Sequence, residues 1–443
     1  MRVLEASALP VWSMDGVGGM PSLQETLRGH VRAGFSVTLV LPEYHLFAPA
    51  LTRLAPGTGD LDVHIAPMPW FPVVHAIRSA VRRATGRAEL PYLVRWGLDV
   101  CTCLLLTASL MLAIMRLRRR GARFDLVYTH NQYAAAAGWF SGLLYGVPNV
   151  TRLYGTFLAD LMRLPLVTLR YPTAAAGFRV PSDLLICAND GTRGDEVARK
   201  MGIAPERFRF WQNGVDLPDV PARESRREVA ERLNAPGLRL EAKWAVSCSR
   251  LSYWKRIDRL LEALRVARVE GCDVQLVVAG DGAERANLER LAQRLGVGKE
   301  TVWLGAVAHD DVWALLHVAD IFVIANDVTN RCNPVYEAIA SGLPLVSIED
   351  ASTADLLVHE ENALLVKRDD TDELGRCVAR LCRDDQLRER LRQAQRARCE
   401  KLWSWEERMS VEVRELMALI ERGGRSGRRR LCRRRGSRVP RCR

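Results

Sequence analysis

The stretch that decides the fold reads WAVSCSRLSYWKRIDRLLEALRVARVEGCDVQLVVAG from Trp244 to Gly280. It holds an apolar run, a basic loop, a helical pattern and a second apolar run, Val274–Ala279. Strands that are apolar throughout, with helices between them, are typical of a parallel sheet covered on both faces. The alternation continues with predicted strands at Thr301–Leu304, Ile321–Ala325 and Leu345–Ile348, and helices at Arg256–Glu270, Glu284–Leu295, Asp310–Val318 and Pro334–Ser341. This order predicts a doubly wound unit with its ligand site at the carboxyl ends of the strands.

The first half of the chain repeats the pattern less regularly. A helix is predicted over Pro21–Ala33, and strands are predicted at Arg2–Ala6, Gly34–Leu41, Phe124–Thr129, Asn149–Tyr154, Leu184–Ala188 and Phe208–Trp211. The predicted fold class is therefore α/β, with two Rossmann-like parallel-sheet domains that face a cleft.

The length of 443 residues supports this division, because single hydrophobic cores stop growing near 250 to 300 residues. The predicted parts are a first domain 1–214, a linker 215–240 with an exposed helix, a second domain 241–404, a returning helix 405–422 and a disordered basic tail 423–443.

The net charge of +12 belongs mainly to the end of the chain. Residues 423–443 hold ten arginines and no acid, so the remainder carries only about +2. The tail could bind anionic lipid, could bind nucleic acid weakly, or could have no partner. The 11 cysteines are scattered without a CxxC pair, which argues against a disulfide framework and a zinc site and favours a reducing compartment.

Two segments of the sequence are candidates for contact with a membrane. The first residues lack the pattern of a signal peptide. The apolar run Cys101–Met115 is shorter than the roughly 20 residues that span a bilayer, so a buried core helix is the favoured interpretation. The segment Trp70–Val74 is followed by Arg78, Arg82, Arg83 and Arg87, and it could lie at a membrane surface or form an ordinary surface helix.

The strongest candidate site follows the strand that begins at Trp244. Arg250 and Lys255 lie between a buried strand and a helix, where two cations and a helix N-terminus suit a diphosphate. Asn333 is expected to cap the next relevant helix, with Pro334 at its first position. Glu337 then falls near the first turn, where its carboxylate could accept two hydrogen bonds from a ribose.

Weaker candidates lie in the first half. Residues 15–20 (DGVGGM) form a glycine-rich turn that lacks the G-x-G-x-x-G spacing. His130 and Asn131 end a predicted strand and are expected to face the cleft, although a lone histidine is often structural. The sequence contains neither G-x-S-x-G nor a P-loop motif, and the histidines show no metal-ligand spacing.

Together these motifs resemble the family-four glycosyltransferases of the GT-B fold. The matching segments are Gly18–Gly19, Gly29–His30, Gln212–Asp216, Ser249–Leu251 with Lys255, Ala279–Gly282, Val302–Gly305, Asn333–Gly342 and Trp405–Glu406. Their order and spacing carry the resemblance, which is strongest between Phe208 and Glu406.

The resemblance implies a retaining transferase that moves a sugar from a UDP- or GDP-sugar to a glycan or lipid-linked acceptor, without a metal and without a dedicated general base. It implies that Arg250 and Lys255 hold the diphosphate and Glu337 the ribose. The further implied contacts come from Asn213, Asp281 with its flanking glycines, Asn333, Pro334 and Val335 on the donor, from Gly18 and Gly19 near the phosphates, and from His130 beside the donor sugar. The expected location is the cytoplasm, with peripheral association at the membrane.

One departure keeps alternatives open. The family pairs its ribose-binding acid with another acid eight residues earlier, and that position here is Thr329, with Asp327 and Asn330 nearby. The alternatives are a nucleotide-sugar epimerase of the same fold, or a non-catalytic scaffold that uses the basic tail to bind membrane or nucleic acid.

Overall fold

The structure, a computed structural model, describes residues 1–9, 21–43, 61–85, 91–215, 224–235 and 237–435. The predicted site residues Gly18 and Gly19 lie outside the described residues. The chain forms two compact units. The first comprises Met1–Asn189, Arg193–Gln212 and Glu406–Arg443, and the second comprises Asp190–Thr192 and Asn213–Trp405.

The strands are β1 (Arg2–Ser7), β2 (Ser36–Pro42), β3 (Leu61–Ala66), β4 (Leu126–His130), β5 (Asn149–Leu153), β6 (Leu184–Ala188), β7 (Phe208–Trp211), β8 (Lys243–Cys248), β9 (Val274–Ala279), β10 (Thr301–Gly305), β11 (Ile321–Ile324), β12 (Leu345–Ile348) and β13 (Ala363–Val366). The helices are α1 (Pro21–Arg32), α2 (Phe71–Thr85), α3 (Tyr92–Arg119), α4 (Ala135–Tyr145), α5 (Leu158–Leu161), α6 (Val167–Arg170), α7 (Pro172–Arg179), α8 (Gly194–Lys200), α9 (Arg226–Arg232), α10 (Ile257–Val269), α11 (Arg285–Arg294), α12 (His309–Val318), α13 (Asn333–Ala340), α14 (Thr371–Arg383), α15 (Asp385–Cys399) and α16 (Trp405–Arg435).

Both units are parallel sheets of the Rossmann type. The first sheet runs β3-β2-β1-β4-β5-β6-β7 and the second β10-β9-β8-β11-β12-β13. The strand order reverses between β1 and β4 in the first sheet and between β8 and β11 in the second. In such sheets, ligands bind beyond the carboxyl ends of the strands at this reversal. The fold therefore marks the segments that follow β8 and β11 as the place to look for a site.

Two strands, β3 and β13, were not predicted from the sequence. β3 alternates in polarity and is only partly buried, and β13 has four residues. Both lie at the edge of their sheets. A strand that is buried on two faces has a strong apolar signal, which β3 lacks. The strand β13, in contrast, is apolar and mostly buried, so its burial does not explain why it was missed.

The apolar run Cys101–Met115 belongs to α3, which has 28 residues. The expectation of a buried core helix holds for one face only, because Leu106, Leu110, Ala113, Ile114 and Leu117 are buried while the opposite face is not. Among the described residues, α3 is the helix that is long and apolar enough to cross a membrane by length and composition.

The segment predicted as a linker is packed against the second unit where it is described. Ser225 and Glu228 form a capping box at the start of α9, and Val229 is buried. Arg226 stacks over the Trp244 ring and pairs with Asp320. Apolar side chains at helical spacing thus attach α9 to the second core, which corrects the expectation of an exposed helix.

The end of the chain also differs from the prediction. The helix α16 continues through Arg435, 13 residues beyond the predicted end at Arg422, so the start of the expected disordered tail is helical. Arginine is a good helix former, and the first proline after Trp405 is Pro440. From Glu406 onward α16 belongs to the first unit, where Leu416 enters its core.

Candidate functional site

The loop after β8 is held against the loop after β9 by backbone contacts. The Ser249 N–H donates to the carbonyl of Ala279 at 3.0 Å, and the Leu251 N–H donates to the carbonyl of Asp281 at 2.9 Å. A Cβ on Gly280 would lie 1.8 Å from the Ser249 oxygen, and one on Gly282 would lie 2.3 Å from the Leu251 oxygen. Only glycine permits this approach, which explains the sequence Ala279–Gly282 physically.

Two cations in this loop have no acidic partner in the described part of the chain. Arg250 is exposed, and Lys255 is half-buried with its Nζ 4.4 Å from the centre of the Trp254 ring. No described carboxylate forms an ion pair with either side chain. Their neighbours Arg256 and Arg259 differ, because both bind Asp327, at 3.1 and 2.7 Å. Asp327, in the segment after β11, therefore neutralises Arg256 and Arg259, while Arg250 and Lys255 are left for an anion.

Glu337 lies on α13 and is buried, with 8% of the residue exposed. Burial raises the pKa of its carboxyl to about 7. Glu337 and Lys255 both act on the Cys332 thiol: burial raises the pKa of Cys332, Lys255 lowers it and Glu337 raises it. Both charged groups are thus near enough to the thiol at the start of α13 to influence its pKa.

The start of α13 differs from the prediction in detail. Cys332, not Asn333, is the residue that precedes the helix, and it makes no side-chain cap. Asn333 is helical, and its Oδ1 accepts a hydrogen bond from Asn213 Nδ2 at 3.3 Å. Pro334 has no amide hydrogen, and the Val335 N–H donates to the carbonyl of Cys332 at 2.9 Å. Asn213 and Asn333 are thus brought together, whereas Pro334 and Val335 offer no further amide donor.

Thr329, at the position of the family's first acid, has a structural role. Its hydroxyl donates to the carbonyl of Asp190 at 2.6 Å and accepts from the Arg331 N–H at 3.0 Å. Ser352 Oγ lies 3.1 Å away. Asp327 is occupied by Arg256 and Arg259, as described above. Because Thr329 and Asp327 are already bound by these partners, neither residue simply replaces the missing acid.

The sequence analysis did not identify the polar residues that hold the segment between β11 and α13 in place. Asp350 accepts from the Asn330 backbone N–H at 3.0 Å, from Asn330 Nδ2 at 3.1 Å and from Ser352 Oγ at 2.8 Å. Arg331 is buried, donates to the Tyr336 hydroxyl at 2.7 Å and pairs with Asp355. A cation in the loop between a buried strand and a helix is the signal that identified Arg250, and it could have identified Arg331.

His130 lies in the first unit at the carboxyl end of β4, and it is fully buried. Its Nε2 lies 2.6 Å from Glu5 Oε2, and its Nδ1 lies 2.7 Å from the Tyr154 hydroxyl. Burial lowers its pKa, and the hydrogen bond to Glu5 offsets part of that effect. Both ring nitrogens of His130 therefore contact partners within the first unit. Its implied position beside a donor sugar stays a prediction.

Glu5 is the partner that sequence reasoning missed. It lies within β1, and it binds His30 Nδ1 at 2.7 Å as well as His130. Burial by itself raises the pKa of Glu5, but the two histidines outweigh it and lower the pKa to about 2. An acid inside an otherwise apolar strand, RVLEAS, was the available signal.

Asp281 is exposed at the turn after β9, and its Oδ1 accepts from the Gly282 N–H at 2.7 Å. The second unit therefore holds Asn213, Arg250, Lys255, Asp281, Asn333 and Glu337. His130 belongs to the first unit.

Two family models match the chain in succession. Residues 18–218 match the model described as Glycosyltransferase Family 4, and residues 230–398 match the model described as Glycosyl transferases group 1. The chain belongs to the family-four glycosyltransferases. The predicted family is thus confirmed on both halves of the chain.

Similar curated proteins include enzymes of surface glycan and glycolipid synthesis. The chain is 33% identical over 221 residues to the lipopolysaccharide core biosynthesis glycosyltransferase LpsE of Rhizobium meliloti, covering 50% of this chain and 60% of that protein. It is 28% identical over 172 residues to alpha-monoglucosyldiacylglycerol synthase of Streptococcus pneumoniae, covering 39% of this chain and 38% of that one. The chain spans about half the length of these curated relatives.

A solved structure shows the same fold. The Anabaena protein Alr3699/HepE, in complex with UDP and glucose, matches with a TM-score of 0.66 at 18% identity over 94% of this chain and 99% of that chain. The predicted fold class, two Rossmann-like parallel-sheet domains of the GT-B type, is confirmed.

Proposed function

We propose that the protein transfers a sugar from a nucleotide-sugar donor to a glycan or lipid-linked acceptor. The observation that carries the proposal is the pair of cations, Arg250 and Lys255, without an acidic partner among the described residues, at the strand reversal of a glycosyltransferase fold. Arg250 and Lys255 would bind the diphosphate, and the buried Glu337 would accept hydrogen bonds from the ribose.

The proposed chemistry uses these charges directly. When the bond between the sugar and the diphosphate breaks, negative charge builds up on the leaving phosphate. Fixed cations next to that phosphate stabilise the charge in the transition state. We propose that the sugar keeps its anomeric configuration, that the leaving phosphate takes the acceptor proton, and that no metal ion is required.

The identity of donor and acceptor is a further part of the proposal. UDP-sugars are the first donors to test, because the HepE structures contain UDP and UDP-glucose, and GDP-sugars are the second. The names of LpsE and of alpha-monoglucosyldiacylglycerol synthase support a lipid-linked acceptor. We propose that the reaction takes place in the cytoplasm at the inner face of a membrane.

The experiment is an incubation of the full chain with UDP- and GDP-hexoses and with lipid extracts, with and without EDTA. We expect a new glycolipid with one donor, formed equally well with EDTA, whose anomeric proton shows the configuration of the donor by NMR. Absence of donor binding across the panel would refute the proposal. An inverted product would refute retention alone, and loss of activity in EDTA would refute metal independence alone.

A non-catalytic scaffold is the second candidate, and the Thr329 contacts favour it. The hydroxyl that replaces the family's acid is occupied by Asp190 and Arg331. The two candidates differ in one result, because a scaffold would bind UDP-sugar without transferring or hydrolysing it over a long incubation.

Donor binding is expected to depend on pH through Glu337. Its pKa of about 7 lies above the ordinary 4.5, so the carboxyl is mostly protonated below pH 7 and mostly ionised above it. Since an ionised carboxylate accepts both ribose hydrogen bonds, UDP-glucose should bind about tenfold more tightly at pH 8 than at pH 6. Titration calorimetry measures the affinity, and UDP-glucose has no ionisation of its own in this range.

The raised pKa of Glu337 also predicts how the stability of the folded protein changes with pH. A carboxyl whose pKa is raised on folding favours the folded state at low pH, and that contribution is lost as the pH rises from 4.5 through 7. Glu337→Gln should therefore stabilise the folded protein at pH 8. The same substitution should also flatten the pH dependence of UDP-glucose binding. A slope that persists in Glu337→Gln would contradict the assignment and point to Asp190, whose pKa burial raises to about 6.

A further inference from the structure

The helix α3 exposes an apolar stripe along most of its length. Leu93, Leu104 and Leu112 are 77%, 66% and 52% exposed, and Cys101 and Ala108 are exposed between them. These positions are separated by three, four or eight residues, which is close to one or two helical turns, so they lie on one side of the helix. From Leu93 to Leu112 the stripe is about 28 Å long at the helical rise of 1.5 Å per residue.

The opposite face of α3 is fixed to the first unit. Leu106, Leu110 and Ile114 are buried in a core cluster with residues of β1, β2 and β4. Trp70 Nε1 donates to the Ser109 hydroxyl at 3.0 Å. Since withdrawing α3 would expose this apolar face, the helix lies along the surface of the unit.

Neighbouring elements extend the exposed apolar surface. At the start of α3, the Tyr92 hydroxyl donates to the carbonyl of Arg170 at 3.0 Å, and Trp96 Nε1 donates to the carbonyl of Leu169 at 2.9 Å. These contacts hold α6 beside α3, where Leu166 and Leu169 are 71% and 60% exposed. On α2, which is joined to α3 by the ion pair of Arg78 and Asp99, Val73 and Ile77 are exposed.

The charge around this surface is positive. The segment from Phe71 to Arg119 contains eight arginines and two acidic residues, and Asp99 is already paired with Arg78. Arg116, Arg119 and Arg120 are exposed where the stripe ends. No charged residue occurs between Asp99 and Arg116. An uncharged apolar strip with basic ends is the pattern of a helix that lies in the interface of an anionic membrane.

We propose that this face, made by α2, α3 and α6, docks on an anionic lipid bilayer with the stripe Leu93–Leu112 inserted among the acyl chains parallel to the membrane plane. A second copy of the chain is the other obvious occupant. A symmetric contact would set the same arginines against one another, whereas anionic headgroups neutralise them. The proposal assigns a surface to the membrane location named in the proposed function, and it can fail independently of the transfer reaction, because lipid binding needs neither donor nor acceptor.

The test is flotation of the full chain with vesicles of phosphatidylcholine alone, or with a quarter of phosphatidylglycerol. The variant is the pair Leu104→Asp and Leu112→Asp. The matched control is the pair Val269→Asp and Val358→Asp, two exposed aliphatic residues of the second unit. We expect the wild type and the control to float with anionic vesicles, and the stripe variant to bind them at least about 100-fold more weakly.

Three results would overturn the proposal. The wild type could fail to float, or the stripe variant could bind like the wild type, which would leave the arginine-rich end of the chain as the anchor. Light scattering without lipid could also show a dimer that the stripe variant dissociates, which would make a second copy the occupant. Thermal melts verify folding, and if the aspartate pair does not fold, Leu104→Ser with Leu112→Ser replaces it under the same criteria.

Discussion

Arg250→Ala is expected to lower kcat/KM for the nucleotide-sugar donor by about 100-fold, the typical cost of removing one fixed group that stabilises transition-state charge. The side chain is exposed at the carboxyl end of β8, and no described carboxylate binds it. Its removal therefore leaves the fold intact and takes positive charge away from the leaving diphosphate. Steady-state kinetics with the donor identified by the panel measures the loss.

Lys255→Ala should cause a loss of similar size. The double variant should lose more than either single variant but less than their product, because both cations are proposed to act on one diphosphate. Arg294→Ala is the matched control, since Arg294 is an exposed arginine at the end of α11 in the same unit. Full activity in both single variants, with unchanged donor affinity, would show that the diphosphate binds elsewhere.

Glu412→Ala is expected to destabilise the protein by about 3–5 kcal/mol, the cost of leaving buried charges without their partner. Glu412 is fully buried on α16. Its carboxylate binds Arg408 at 2.8 Å and Arg152 at 3.0 Å, and it accepts from the Tyr128 hydroxyl at 2.6 Å. Burial raises its pKa, but the two guanidiniums outweigh that and hold the pKa of Glu412 well below its ordinary value. Denaturant unfolding measures the change.

The same helix supplies the control for this prediction. Glu415, one turn further on, makes a bidentate ion pair with Arg209 at 3.0 Å but is 28% exposed. Because solvent screens such a pair, Glu415→Ala should cost about 1 kcal/mol or less. Equal losses in the two variants would show that burial of the Glu412 network does not decide its energy.

The pH dependence of stability should reflect the same network. Burial lowers the pKa of His30, but Glu5 and Glu412 outweigh it and raise the pKa to about 9. The stability that His30 contributes is complete below pH 6.5 and is lost as the pH rises through 9. The contribution of Glu5 is complete above pH 4.5 and is lost as the pH falls through 2. Both contributions are therefore complete between pH 4.5 and 6.5.

How accurately a strand was predicted from the sequence depends largely on how deeply it is buried. Strands β6, β9 and β12 were predicted to the residue, because a strand inside a parallel sheet must be largely apolar. The edge strand β7 was also predicted to the residue, although it is only partly buried. The edge strand β3 was missed because it alternates in polarity and has no continuous apolar run. The edge strand β13 was missed although it is apolar and mostly buried. The predicted helices α10 to α13 were correct to within one residue at each end, which is the ordinary uncertainty of a helix boundary.

The site was predicted in part for a similar reason. Arg250 and Lys255 follow a strand directly, so their place at the carboxyl edge of the sheet follows from the order of the elements alone. Glu5 and Glu412, by contrast, are 407 positions apart in the chain, and both bind His30. A pairing of that kind leaves no trace in local spacing.

The amino-acid order alone thus determined the two parallel sheets, the family and the position of the two loop cations Arg250 and Lys255, because apolar periodicity and strand-loop-helix order are local properties. Tertiary structure alone decided that His130 is enclosed by Glu5 and Tyr154, that Thr329 is held by Asp190, and that one side of α3 is exposed. These outcomes depend on which distant side chains share a buried volume, and that is settled only when the sheets and helices pack.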